Sequence, residues 1–477
     1  MSRYAKLAAT LQQRIEDGLY APGARLPSVR ELSREYGVSI STVQQAYLQL
    51  EELRLVFPKA KSGYFVCMRP AVSSLPSVSR PVQRPVEISQ WDHVLNLMQI
   101  EPSADWVQLA RGMPDVHEST LRPLQKIMAH LCRPSDLKAL YYDSIYGLKP
   151  LREEISRLLI DAGCQLQADD LVSTSGCSEA ISVALRVLCR PGDIVAVESP
   201  TFYGSMQALK ALELKALEIP TDPVTGMSPE ALALALEQWP IKTILVTPNC
   251  NNPLGYIMPD NNKKKILRLA QQYDISIIED DIYGDLAYSW PRPLTIKSFD
   301  DDGRVLLCGS FSKSIAPGLR VGWIAPGRYL QQVVHMKYIG SGPTATPSQM
   351  AVAQFLAQGH YMLHIRRMRQ RYQQNYKCIS HWIELYFPEG VRISQPQGGF
   401  LLWIELPEEI DVLRLNRKLA ELRIQVAAGS LFSAAGKYRN CLRLNYAFPM
   451  TTAVETAIRV LGALIKEELT VMCTDLP

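Results

Sequence analysis

The stretch GSFSKSIAPGLRVGW, residues 309–323, decides the reading of this chain. It follows Val305-Leu306-Leu307-Cys308, an apolar run of the length and composition of a buried strand. Lys313 therefore stands just past a strand end, where a lysine amine can form a Schiff base with an aldehyde cofactor. Ser310 and Ser312 flank it, and Arg320 follows seven residues later. Two hydroxyls and a guanidinium suit a phosphate dianion, which Arg holds better than Lys does. A lysine in a Ser-rich loop is, by itself, usually a solvated surface residue. The surrounding chain has to decide.

Working outward, four more segments place reactive groups at element ends. Ser175-Gly176-Cys177-Ser178-Glu179-Ala180 opens a helix after Leu171-Val172-Ser173, and small residues at a helix N-terminus bare their amides to an anion. Glu198-Ser199-Pro200-Thr201-Phe202-Tyr203-Gly204 sets aromatics after a strand, suited to stacking on a flat ring. Asn249-Cys250-Asn251-Asn252-Pro253-Leu254-Gly255 puts an amide in a tight turn. Glu279-Asp280-Asp281-Ile282-Tyr283 puts a carboxylate three residues before a tyrosine. Each has an ordinary reading as cap, core aromatic, turn or solvated acid; five in this order do not arise by coincidence. The runs Ile194–Val197, Thr243–Val246, Ile275–Ile278 and Val305–Cys308, with helix-length segments between several of them, predict a parallel sheet covered on both faces.

The order of these segments resembles the fold-type I aminotransferases across nearly all of residues 95–470. The resemblance implies an α/β fold: a large domain with a mostly parallel sheet and a smaller α+β domain, binding pyridoxal 5'-phosphate. Lys313 would carry the internal aldimine, and Asp280, not Asp281, would pair with the pyridine nitrogen. Tyr283 completes the catalytic set and, with Asn252, would hydrogen-bond the ring hydroxyl. Phe202 would stack on the ring, with Tyr203 as second choice. Gly176, Cys177, Ser178, Ser310, Ser312 and Arg320 would hold the phosphate. Tyr142, five residues before Gly147, would reach the phosphate of a neighbouring subunit, which implies a homodimer. Arg443, in Cys441-Leu442-Arg443-Leu444-Asn445, would grip the α-carboxylate of a substrate or effector. Ala428 departs from the family's frequent proline.

The first 70 residues read differently. They hold ten Lys/Arg against six Asp/Glu, which equals the whole chain's formal charge of +4. Positive charge placed there suits a phosphate backbone. Tyr4, Leu7, Ala8, Leu11 and Ile15 mark one helix face. A second helix is expected from about Pro27 to Gly37, and a third after a Ser39 cap, with Val43, Ala46, Tyr47 and Leu50 inward. Val56-Phe57-Pro58 and Tyr64-Phe65-Val66 read as strands around a basic tip, completing a winged helix-turn-helix over residues 1–68. Residues 69–90, with four prolines, read as an extended linker, leaving 91–477 for the cofactor domain.

The run Leu26-Pro27-Ser28-Val29-Arg30-Glu31-Leu32, with Gly37-Val38-Ser39 and Ser62-Gly63-Tyr64-Phe65-Val66, resembles the GntR superfamily of bacterial regulators. The full arrangement resembles its MocR-type subgroup. Residues implied at a DNA operator are Arg30, Ser39, Ile40, Ser41, Thr42, Gln44, Gln45, Lys59 and Lys61. Many members of the superfamily carry Arg where Ile40 and Gln44 stand, so base readout here differs from an arginine-to-guanine scheme. The expected function is a DNA-binding regulator that senses pyridoxal phosphate or a small amino compound. A working aminotransferase carrying a DNA-binding domain is the alternative.

Other classes find little support. No run of about 18 apolar residues is present, so no membrane partner is expected. The amphipathic, acid-containing N-terminus lacks a secretory core, and ten scattered cysteines with no C-x-x-C pair fit a reducing bacterial cytoplasm. None of the seven histidines has metal-ligand spacing, so no metal is expected.

Overall fold

The structure, a computed structural model, describes residues 3–16, 19–20, 24–52, 55–59, 63–66, 74–88, 106–131 and 137–474. The chain divides into two compact units, Met1–Ser73 and Ser74–Pro477.

The first unit holds helices Arg3–Glu16, Val29–Glu35 and Ile40–Glu52 and an antiparallel pair, β1 (Val56–Lys59) with β2 (Gly63–Val66). Leu11, Leu32, Val43, Ala46, Tyr47 and Leu50 are its fully buried centre. The second helix starts later than Pro27. Ser28 caps it: its Oγ accepts from the Glu31 amide at 3.3 Å, and the Glu31 carboxylate accepts from the Ser28 amide at 2.6 Å. Pro27 stays outside, its carbonyl taking the Tyr47 hydroxyl at 2.5 Å.

The second unit is built on an eight-stranded sheet. Its strands are β4 (Val172–Thr174), β5 (Ile194–Ser199), β6 (Lys215–Asp222), β7 (Gly226–Met227), β8 (Ile241–Val246), β9 (Ser276–Asp280), β10 (Val305–Ser310) and β11 (Gly322–Ala325), in the order β4-β11-β10-β9-β8-β5-β6-β7. The stretch from β10 to β6 is parallel throughout, while β11 runs antiparallel to both its neighbours. The sheet is therefore mixed, and β6, β7 and the reversed strand β11 lie outside the apolar runs read from the sequence. Adjacent residues enter opposite clusters: Ile277 and Ile244 pack on one face, Ile278 and Leu245 on the other. Burial of both faces explains why these strands read as unbroken apolar runs rather than alternating ones.

A smaller antiparallel sheet, β12 (Arg392–Ile393), β13 (Leu401–Glu405), β16 (Cys441–Asn445) and β15 (Ala427–Ala428), in the order β12-β13-β16-β15, lies with helices His360–Tyr386, Val412–Glu421 and Thr452–Thr474. A short parallel pair, β3 (Val107–Gln108) with β14 (Ile424–Gln425), ties the two ends of this unit's sequence together.

The expected linker, 69–90, is corrected in its second half. Residues 74–88 belong to the second unit. The Ser77 amide and hydroxyl both donate to Glu405, the Thr221 amide donates to Ser79 Oγ at 2.7 Å, and Val86 bridges to Ala216 beside β6. Ile88 is buried in the core. Prolines keep this arm extended, and an extended arm offers backbone groups to the structure it lies on.

Candidate functional site

The five expected segments emerge from the carboxyl ends of β4, β5, β8, β9 and β10, which run the same way, and their side chains meet there. Ligands of open α/β sheets bind at that edge, because helices cover both faces. A cavity of about 380 Å³ lies at it. Lys313, Asp280, Tyr283, Asn252, Phe202, Tyr203, Cys177, Ser178, Ser312, Arg320 and Arg443 all line it.

Lys313 follows β10 by three residues and donates from Nζ to the Gly112 carbonyl at 2.5 Å. Burial pushes its ammonium down to about 8; Arg443 and Arg320 push the same way, and Asp280 opposes them. Asp280 ends β9. Its Oδ1 accepts from the Cys177 thiol at 3.2 Å and the Ile282 amide at 3.1 Å. Burial raises its carboxyl to about 6. A buried carboxyl with so few donors calls for a cationic or protonated partner. Asp281 serves elsewhere: it pairs with Arg292 and accepts from Asn249 Nδ2 at 2.9 Å. Burial also pushes the Tyr283 phenol up, so it stays protonated as a donor.

The anion end is built from backbone and guanidinium. Gly176, at φ +89°, precedes helix Cys177–Leu188, and a Cβ there would collide with the Arg320 guanidinium. Arg320 donates to Ser312 Oγ at 3.2 Å and to the Ser175 carbonyl at 2.6 Å. Ser310 does not line the cavity. Its Oγ lies 2.9 Å from both the Val321 carbonyl, to which it can donate, and Ser312 Oγ, and so shapes the loop from behind.

Arg443 is fully buried on β16, between Trp403 and Ala427 of the neighbouring strands. It donates to Asn252 Oδ1 at 3.1 Å and to the Ala110 carbonyl. Its Nε is buried without a hydrogen-bond partner among the described residues, and Phe432 lies 5.0 Å from the guanidinium. A buried guanidinium with an unused donor can take a further acceptor, such as a carboxylate.

Tyr142 stands apart, 90% exposed and outside the cavity. The cavity also holds residues that the sequence reading missed: Arg111, Gly112, Met113, Ile181 and Gln207. Gln207 lies one turn after Tyr203, a spacing that could have flagged it. Arg111–Met113 carry no periodicity and fall beyond any recognisable element end.

On the first unit, Arg30, Ser39, Ile40, Ser41, Gln44, Gln45 and Lys59 are exposed. Thr42 is half-buried, and the Ser39 hydroxyl accepts from the Thr42 amide at 3.2 Å, capping the third helix. Lys61 lies outside the described residues. Ile40, Ser41, Gln44 and Gln45 share the face opposite the buried Val43, Ala46, Tyr47 and Leu50.

Among the described residues no helix is long and apolar enough to cross a membrane, and no cluster of three metal-ligating side chains occurs. One consequence of the site is directly measurable. The neutral amine of Lys313 should attack an added aldehyde with a rate that rises with pH and is half-maximal near pH 8. Stopped-flow absorbance checks this, and a midpoint above pH 10, as for a solvated lysine, would contradict the buried placement.

Residues 104–461 match the family described as aminotransferase class I and II, and residues 3–66 match the bacterial regulatory proteins of the gntR family. The chain is 55% identical over 462 residues to YjiR of Escherichia coli K12, an uncharacterised HTH-type transcriptional regulator by name, covering 97% of this chain and 98% of that one. YdcR of the same organism, similarly named, is 32% identical over 98% of this chain and 100% of its own length. The solved kynurenine aminotransferase of Pyrococcus horikoshii superposes with a TM-score of 0.72 at 31% identity, covering 80% of this chain and 95% of that one. The chain belongs to the aminotransferase class I and II family over its second unit and joins it to a gntR-family N-terminal segment, the arrangement of a MocR-type regulator.

Proposed function

We propose that this protein is a DNA-binding transcriptional regulator whose second unit holds pyridoxal 5'-phosphate and responds to an amino compound bearing a carboxylate. The observation that carries this is the coexistence in one chain of the Lys313–Asp280–Arg320–Arg443 cavity and a separate unit with an exposed third-helix face. The residues fit the cofactor. Gly176 lets the Arg320 guanidinium come close to the helix start, Arg320 with the cavity hydroxyls of Ser178 and Ser312 suits a phosphate, and buried Asp280 suits a protonated ring nitrogen. When bound, the cofactor supplies an amine-reactive carbon and an electron-accepting ring. Lys313 holds it, Phe202 and Tyr203 flank it, Tyr283 and Asn252 donate to it, and Arg443 orients the incoming carboxylate. The intact set also favours amine-transfer chemistry as a second reading, and assays with amino and keto acids separate the two by turnover.

Lys313→Ala should abolish both the visible absorbance of the cofactor-loaded protein and the borohydride-stable label on the Lys313 peptide, while DNA binding persists. A reducible band surviving in the variant would sink the assignment.

The second unit is read as a homodimer, with Tyr142 reaching a second copy's site. The consecutive residues Leu140, Tyr141 and Tyr142 are between 70% and 90% exposed, an apolar stretch that suits association. Light scattering at micromolar concentration should give twice the chain mass; a fully cofactor-loaded monomer would contradict it.

For the operator, Gln44 and Ile40 favour A·T pairs, since Gln pairs bidentately with adenine and an apolar side chain packs on a thymine methyl. Gln44→Ala should relax preference at one position by about 1–3 kcal/mol, whereas Arg30→Ala and Lys59→Ala should weaken binding to all sequences and flatten its salt dependence. Selection of bound DNA checks this, and a G·C-centred half-site would refute it.

A further inference from the structure

The Asp280 carboxylate is held unevenly. Both of its hydrogen-bond donors, the Cys177 thiol at 3.2 Å and the Ile282 amide at 3.1 Å, go to Oδ1. Among the described residues none donates to Oδ2, and Asp280 lines the cavity. The Ile282 amide lies two residues along the same chain, so it travels with Asp280. The thiol comes from a separate element, as the first residue of helix Cys177–Leu188. Cys177 is buried and lines the cavity as well. The sequence reading assigns this residue to the phosphate, a role that a helix start fills with its backbone amide. Its side chain is committed to Asp280 instead. The other ionisable groups facing Asp280 are Cys308 in register on β10, Asp281, Glu198, Lys313 and Tyr283, and none of them hydrogen-bonds it among the described residues. Cys177 is thus the side chain that fixes the orientation of this carboxylate.

We infer that Cys177 is a positioning residue, whose thiol holds Asp280 Oδ1 so that Oδ2 is left to the cavity for the ring nitrogen of the cofactor. The inference rests on the proposed function, because it takes Asp280 as the partner of that nitrogen. Donors from two elements lock a side chain that one local amide would let swing. A thiol suits the task because it is a weak donor, so it orients the carboxylate and leaves most of the charge in place. Charge on Asp280 is what keeps a ring nitrogen protonated. Loss of the thiol removes a group that favours the ionised carboxyl, so the titration of Asp280 should rise above its value of about 6.

The test titrates the full chain with deoxypyridoxine phosphate, which has the ring and the phosphate but no aldehyde, so Lys313 forms no bond to it. Binding should weaken as pH falls through about 6, where Asp280 takes up its proton. In Cys177→Ala that fall should set in about 0.5 or more higher on the pH scale, with affinity at pH 8 lower by about threefold. Cys177→Ser, whose hydroxyl can donate, should recover part of both. An acid limb unmoved in Cys177→Ala overturns the inference, and so does a serine variant no better than the alanine one, which marks a role in packing alone. The unaltered protein gives a reading free of variants. One S–H stretching band should move to higher frequency as Asp280 is protonated, because a hydrogen bond to a carboxylate is stronger than one to the neutral acid. Absence of such a band also overturns the inference. If neither the analogue nor pyridoxal 5'-phosphate binds the unaltered protein at any pH, the reading of the cavity as a cofactor site falls, and this inference with it.

Discussion

Both faces of the large sheet are buried, and that constraint places everything else. With Ile277 and Ile278 committed to opposite apolar clusters, the middles of the strands are given over mainly to the core. The strand ends are where polar groups can meet a ligand. Because β4, β5, β8, β9 and β10 run the same way, their ends lie along one edge. Asp280 is the last residue of its strand, and Lys313 follows its own by three. The cavity is a product of strand direction before it is a product of residue choice.

Electrostatics then follow from burial. Desolvation drives Lys313 and Asp280 towards neutrality from opposite sides, so each waits for a partner that the fold itself does not supply. The carbonyl and amide contacts of Arg443 leave its Nε without a partner among the described residues. Under the proposed function, an anionic ligand relieves the cost of burying such groups, which would stabilise the occupied form.

The amino-acid pattern made much of this legible. Residues at strand ends and helix starts have spacing that can be read directly, so the Lys313, Asp280, Asn252 and Gly176 segments were found along with their elements. What escaped had no local signature. The reversed strand β11 is only four residues long and was absorbed into the phosphate motif. Residues 74–88 looked like a free linker because proline-rich sequence is extended whether docked or not; the contacts that hold it come from Glu405 and Thr221, far away in sequence. Arg111 entered the site through Asn445, a partner more than three hundred residues distant. A residue placed by such a contact has no periodicity to betray it.

The short segment from Ala110 to Met113 is fastened from two sides. Arg443 and Asn445, both on the small sheet, hold the carbonyls of Ala110, Arg111 and Met113, while Lys313, from the large sheet, holds that of Gly112. It acts as a rivet through two plates, and one of its fixings is the nitrogen whose chemistry defines the site. Once that nitrogen is engaged elsewhere, the segment gives up its hydrogen bond to Lys313 and keeps those to Arg443 and Asn445. A change of bonding at a single atom thereby shifts the balance between the two fixings.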